Sequence, residues 1–269
     1  MTATPKRAVR DVSRSRIFHV LARSGFAVNG LLHILIGGIA IGIAFHGGQG
    51  GDADQTGALQ GLSDTPGGLV VLWIAVVGLF ALGLWEVAQV ILASDPDAKK
   101  KWGRRATEAG KAAVYVVLGS TALIFALGGS SDSSENSQSA SATLLATPGG
   151  VFLLVAVGLA VVGFGIGFVS IGIRRTFRKL IHTPAGTAGR VVTVVGVVGY
   201  LSQGVALGVV GVLFVVAAAT YDAEKASGLD GALKALTDLP FGVVVLVAVG
   251  VGLIFYGLFL GARARLARL

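Results

Sequence analysis

Residues Gly30–Pro66 read GLLHILIGGIAIGIAFHGGQGGDADQTGALQGLSDTP, an apolar run followed by a polar, glycine-rich stretch and a proline. The same frame returns at Ala112–Pro148 and Gly204–Pro240, with 36 residues from anchor to proline each time. The company kept by each anchor also repeats. Gly37, Gly119 and Gly211 stand seven residues past the anchors, and Gly83, Gly165 and Gly257 stand 17 past the prolines. The prolines themselves open Pro66-Gly67-Gly68, Pro148-Gly149-Gly150 and Pro240-Phe241-Gly242. A repeat with fixed internal spacing sets the architecture before any local reading.

Composition names the solvent. Of 269 residues, 54% are hydrophobic and 13% charged, and the mean hydropathy is +0.79. Soluble domains carry roughly 25% charged residues, so this chain reads as a membrane protein. The 41 glycines suit helices that approach closely in lipid. Cysteine is absent, which excludes disulfides, thiolate metal sites and cysteine nucleophiles.

A bilayer-spanning helix needs about 20 apolar residues. Six stretches qualify, at approximately Phe26–Phe45, Gly68–Leu92, Ala112–Leu127, Val151–Ile173, Val191–Ala219 and Phe241–Leu260. Pro66, Pro148 and Pro240 precede their runs and are expected in first helical turns, where a missing N–H costs little. Thr65, Thr147, Asp64 and Asp238 are the expected caps.

Basic residues then orient the spans. Twenty of the 22 lie before the first span, in the second and fourth connections, or in the C-terminal tail. Nine of the 14 acidic residues lie on the other side, from Asp52 to Asp238. The positive-inside rule places both termini in the cytoplasm of a cell whose plasma membrane the chain crosses. The expected partners are the bilayer, anionic lipids at its cytoplasmic face, and a further membrane protein. The net charge of +8 does not imply nucleic acid, because no aromatic-rich basic domain accompanies it. Residues 1–24 mix arginines with Val12, Ile17, Phe18, Val20 and Leu21, as an interfacial amphipathic helix does. The repeat register uses the first apolar run as part of unit one, so it is not read as a cleaved signal.

Two spans per unit make the three units parallel, which excludes an inverted-repeat transporter. The expected fold is an all-α membrane protein of six transmembrane helices, as three parallel two-helix repeats with pseudo-three-fold symmetry. Segments 1–24, 25–94, 95–182 and 183–269 divide it into a basic amphipathic start, repeat one, a basic connection with repeat two, and repeat three with a basic tail. Gly38/Gly42, Gly163/Gly167, Gly204/Gly208 and Gly257/Gly261 are candidate packing stripes. Ala58-Leu59, Ala140 and Ala232-Leu233 suggest short amphipathic helices in the outer connections, beside flexible loops at Gly47–Gly57 and Gly129–Ser139. Gly47-Gly-Gln-Gly-Gly51 lacks the Lys-Ser/Thr of a phosphate loop.

The pattern resembles the bacterial membrane family catalogued as domain of unknown function 1206, known chiefly from actinobacteria as three tandem copies. Ala22-Arg23-Ser24-Gly25-Phe26 with Gly30 and Gly37, Val114-Tyr115 with Gly119, and the Pro-Gly-Gly starts carry the resemblance over residues 22–265. That family favours a basic residue just before the anchor column, where this chain has Asn29, Lys111 and Gln203. The resemblance implies no known activity.

Ionisable groups inside a span are costly and point to function or to pairing. Glu86 lies in the second span with Gln89 one turn on, and the later units place Phe168 and Leu260 in its column. A cluster of Glu86 with Lys111, Asn29 and His33 reads as an ion pair joining units one and two, or as a proton or cation site. The column Asn29/Lys111/Gln203 would ring the three-fold axis, with His33/Tyr115/Leu207 one turn deeper. His46 with Asp52 and Asp54 is a weak metal pattern; no metal or cofactor is expected. His19 and His182 read as surface residues, and Ser170 and Thr193 as packing hydroxyls. With no catalytic motif present, the chain is expected to be a non-enzymatic scaffold or accessory subunit. The alternative is a small transporter or channel for protons, cations or lipid-like solutes through Glu86.

Overall fold

The computed structural model describes residues 16–46, 51–92 and 97–267. The first part of the basic N-terminal segment and the start of the Gly47–Gly57 stretch lie outside the described residues. Among those described there are nine α-helices: α1 (Arg16–Phe45), α2 (Gln55–Ser63), α3 (Gly68–Leu92), α4 (Ala98–Ala126), α5 (Ser133–Ala146), α6 (Gly150–Arg174), α7 (Gly186–Thr220), α8 (Gly228–Ala235) and α9 (Gly242–Leu266). Six of them, α1, α3, α4, α6, α7 and α9, are long and apolar enough to cross a membrane. The short helices α2, α5 and α8 occupy the three connections at the acidic end, as the repeat suggests.

Several expectations require correction. From Arg16 the basic N-terminal segment is continuous with the first span, because no glycine or proline interrupts Arg16–Ser24. The connection Lys99–Lys111 is helical too. Asp97 caps α4 by accepting from the Lys99 and Lys100 amides, so the third span is 29 residues long. Gly129–Ser139 is a loop only to Asp132, whose carboxylate accepts from Ser134 and Glu135 and starts α5. The prolines do not sit in first helical turns. Each occupies the second position of a four-residue turn closed by a hydrogen bond, Gly68 to Thr65, Gly150 to Thr147 and Gly242 to Leu239. The third position is left-handed, with φ of 83° at Gly67, 79° at Gly149 and 62° at Phe241, the signature of a type II turn. Thr65 and Thr147 accordingly donate back to Leu62 and Thr143 and cap nothing ahead of them.

The spans associate in an order that crosses the sequence units. α3 packs along α4, α6 along α7 and α9 along α1, so the second span of each unit pairs with the first span of the next. Glycine seams make these pairs close. A methyl group on Gly30 would lie 2.6 Å from the Gly257 carbonyl oxygen, and one on Gly204 2.7 Å from that of Gly165. Gly37 meets Gly250, and Gly211 meets Gly158, in the same way. At the α3–α4 seam Ala112 stands in the Gly30 column, and Gly83 and Gly119 instead meet Val116 and Phe80. Among the described residues a methyl group on Gly38, Gly42, Gly163, Gly167, Gly208 or Gly261 would meet nothing within 4 Å, so of the proposed stripes only Gly204 and Gly257 point into a seam, while the backbones of Gly208 and Gly261 line the seams opposite Gly165 and Gly30.

Within units, α1 packs on α3 and α7 on α9, but α4 and α6 do not pack along their lengths. The pseudo-three-fold ring is therefore open in unit two.

Candidate functional site

Three features converge on possible function: a buried polar centre, a junction among the acidic-end connections, and the opening in unit two.

The polar centre lies in the basic half of the bundle. Helical spacing stacks Asn29 and His33 on one face of α1, and both are buried. The His33 Nδ1–H donates to the Asn29 carbonyl at 2.8 Å, which fixes the tautomer, since a carbonyl only accepts. Its ring meets the edge of Tyr256 with centroids 5.0 Å apart, and Tyr256 meets Tyr200 at 5.4 Å. Tyr200 in turn stacks on Phe177 at 5.3 Å. Glu86 is buried on α3 within hydrogen-bonding range of Glu108. Glu108 accepts from Lys111 at 2.7 Å. Among the described residues Lys111 thus forms its ion pair with Glu108, three residues away on α4, and acts on Glu86 at longer range, so the expected Glu86–Lys111 cluster includes Glu108. Gln89 is half-buried one turn nearer the basic end. Arg263 lies over the Phe26 ring at 4.2 Å and within electrostatic reach of Glu86.

The centre does not continue across the bundle. Asn29 and Gln203 are buried, whereas Lys111 is exposed, so the three do not form a ring. Toward the acidic end His33 gives way to one buried apolar cluster that includes Ile36, Leu79, Leu246 and Leu253, all essentially without solvent exposure. Among the described residues, every other buried polar side chain belongs to the acidic-end connections: Asp54, Thr56, Ser141 and Asp230. Asn29 Oδ1, Gln203 Oε1 and Arg263 Nε are buried without a hydrogen-bond partner among the described residues. Such groups are costly in an apolar interior unless solvated.

At the acidic end the three connections clasp one another pairwise. Units one and three join where the Ala53 amide donates to Asp230 at 2.8 Å, with Lys234 2.7 Å from Asp230 and 3.5 Å from Asp52. Units one and two join where the Ser133 amide donates to Thr56 Oγ1 at 3.3 Å. Units two and three join through Gln138 and the Glu224 carbonyl at 3.2 Å. Asp54 caps α2 by accepting from Thr56 and Gly57. Burial pushes its carboxyl above the usual range, only partly opposed by those bonds. Burial disfavours the Lys234 ammonium, but Asp230 and Asp52 outweigh it and raise that group. His46 instead binds back to the Gly42 carbonyl.

The opening in unit two shows in residues that the repeat makes equivalent. In one column Leu32 and Ala206 are 1% and 0% exposed, but Val114 is 57% exposed. In another Leu82 and Tyr256 are 0% and 8% exposed, against 54% for Phe164. Val157 is likewise uncovered where Ala75 and Val249 are buried. The clasp holds the acidic end of unit two to its neighbours, so the uncovered faces lie at membrane depth.

The sequence alone singled out Glu86, Lys111, His33, Asn29 and Gln89, but not Glu108, Arg263, the tyrosines or Asp230. Glu108 was signalled by its i,i+3 spacing to Lys111. The others depend on which helices meet.

A family model described as Domain of Unknown Function (DUF1206) matches three times, at residues 24–93, 108–175 and 198–267. The chain is 30% identical over 241 residues to the "Uncharacterized protein YxxB" of Bacillus subtilis (strain 168), covering 88% of this chain and 86% of that one. No solved structure matches.

Proposed function

The chain belongs to the bacterial membrane family described as domain of unknown function 1206, and from that premise we propose that it is a non-enzymatic scaffold or accessory subunit of a membrane complex. One observation carries the reading: unit two leaves uncovered the apolar columns that units one and three bury. The occupant that fits is a single transmembrane helix of a partner protein. In units one and three a helix of the bundle covers these columns, and α6 adds the unpacked Gly163 and Gly167, where another helix backbone approaches closely.

Photo-crosslinking residues placed at Val114 and Phe164 are expected to give one discrete adduct in native membranes. The same probe at Val70 or Val244, exposed on α3 and α9, is expected to give none. Adducts at all four positions, or at none, would remove the support for a specific partner.

The competing reading is a proton or cation path through Glu86. It is favoured by the cluster of Glu86, Glu108 and Lys111, which extends from the interior toward the basic end. The apolar plug beyond His33 argues against it, since a conducting path needs polar lining or water across the whole depth. In proteoliposomes the scaffold reading expects Glu86→Gln and the unaltered protein to show the same background proton leak. A flux present in the unaltered protein and abolished by Glu86→Gln would establish the path instead.

The reading puts the protein in the plasma membrane with its basic end cytoplasmic, an orientation supported by the lysine and arginine distribution. Because the chain contains no cysteine, Ala98→Cys and Ser133→Cys offer a clean test. In intact cells an impermeant maleimide should label Ser133→Cys alone, and labelling of Ala98→Cys alone would invert the topology.

A further inference from the structure

The turn between α6 and α7 builds a feature that neither the repeat nor the family match assigns. α6 ends at Arg175, whose backbone is left-handed with φ of 55°. This conformation is unfavourable for a residue with a side chain and persists only where its surroundings hold it. A short 3-10 turn, Thr176–Leu180, follows. Phe177 and Ile181 are fully buried, Phe177 between Tyr200 and Phe259. The His182 amide donates to the Leu266 carbonyl at 2.7 Å and ties the segment to the end of α9. The loop then folds so tightly onto α7 that the Pro184 carbonyl excludes any side chain at Gly189.

Between these anchors lies an open recess of about 450 Å³ lined by Arg175, Arg178, Arg190, Thr183, Gly189 and Thr193. Three arginines line it, and among the described residues no Asp or Glu lies in ion-pair range of any of them. Like charges held together repel unless an anion sits between them. The burial of Phe177 and Ile181 fixes the backbone that carries Arg175 and Arg178 beside the recess, and the side chains of all three arginines are exposed and free to close on an anion. At one wall α7 begins at Gly186 after Ala185, which provides no side-chain cap, leaving amide donors that suit an anion. Arginine's planar fork matches phosphate oxygens two at a time.

The depth of the recess is also informative. α7 has 35 residues, about 52 Å at helical rise, well beyond a hydrocarbon core of about 30 Å. Its apolar run starts at Val191, directly after Arg190, which puts the recess at the level of the lipid headgroups.

We infer that this recess binds a phosphate group at the basic face of the membrane, carried by an anionic phospholipid headgroup or by a soluble phosphate ester. The test uses the full chain in phosphatidylcholine nanodiscs and reads the thermal midpoint in two arms. One arm adds phosphatidylglycerol to the discs, and the other adds glycerol phosphate to the buffer. The unaltered protein should gain several degrees in at least one arm. A gain in the first assigns the lipid and a gain only in the second assigns the soluble ester; no gain in either overturns the proposal. The triple variant Arg175→Gln/Arg178→Gln/Arg190→Gln should lose the gain. Arg190→Gln, changed at an exposed position, should weaken apparent affinity roughly tenfold, the loss of one charge-assisted pair, and it serves if the triple variant fails to fold. Arg174→Gln/Lys179→Gln removes neighbouring charges outside the recess and should keep the gain. Equal loss in this control would reduce the effect to general surface charge and overturn the site.

Discussion

Gly30→Val is expected to leave little correctly folded protein. The added side chain would lie 2.6 Å from the Gly257 carbonyl oxygen and 3.2 Å from the Gly261 amide nitrogen. Both are backbone atoms of a helix and cannot rotate aside, so α1 and α9 must separate. Separation also breaks the contact one seam position further along, where a methyl group on Gly37 would lie 2.5 Å from the Gly250 carbonyl oxygen. Overpacking against a yielding side chain costs roughly 1–3 kcal/mol; against backbone along a whole seam the expected loss exceeds about 4 kcal/mol. Gly38→Ala is the matched control. A methyl group on Gly38 would meet nothing within 4 Å among the described residues, and relieving a helical glycine stabilises by roughly 0.5–1 kcal/mol. Detergent-solubilised thermal midpoints should fall steeply for the first variant and hold or rise for the second. A Gly30→Val midpoint equal to that of Gly38→Ala would show that the seam does not govern stability.

Asp230→Ala is the second large effect. Its carboxylate satisfies the fully buried Ala53 amide and pairs with Lys234. Removing it leaves a buried donor unpaired, a cost of roughly 1–3 kcal/mol. Loss of the ion pair adds less than about 1 kcal/mol, because Lys234 is partly exposed and screened. The expected total is about 2–3 kcal/mol. Asp230→Asn keeps an acceptor for Ala53 and should recover most of it. Nearly equal losses for the two variants would mean that charge, and not the amide hydrogen bond, holds the junction.

The neighbouring Asp54 gives that junction a pH dependence of definite sign. Its carboxyl is raised in the folded state, so the folded chain binds more protons than the unfolded one, from about pH 3.9 up to the raised value. Stability falls as pH rises through that window, and Asp54→Asn should flatten the slope. Lys234, raised by its carboxylate neighbours, contributes stability fully below about pH 10.4, which is lost as pH climbs through its raised value.

How far the sequence carried the fold depends on what repeats. Composition and the Gly/Pro columns gave the six spans, their parallel arrangement and the outer helices, because hydrophobic length and backbone geometry are local properties. The pairing of α3 with α4, α6 with α7 and α9 with α1 was not legible, since a glycine column shows that some backbone comes near, not whose. Phe241 misled for a related reason. It takes the left-handed turn position that glycine fills at 67 and 149, so the Pro-Gly-Gly likeness hid a turn behind an expected helix start.

The candidate site was legible in part. Glu86, His33 and Asn29 stood out because a polar side chain in an apolar run is conspicuous. Arg263 and Tyr256 sit near a helix end or among aromatics and look ordinary until α9 is laid against α1. The opening in unit two could not be read at all, because Val114 and Phe164 are as apolar as the residues they replace.

The seam between α1 and α9 also imposes an order on assembly. The α3–α4 and α6–α7 pairs join spans that are neighbours in the chain and are able to form while the polypeptide is still being inserted. α1 has to wait for α9, the latest of the six described spans, before its own glycine face is covered. Of the six described spans, the earliest is thus locked into its seam by the latest, and a chain released before α9 emerges would carry Gly30 and Gly37 uncovered into the bilayer.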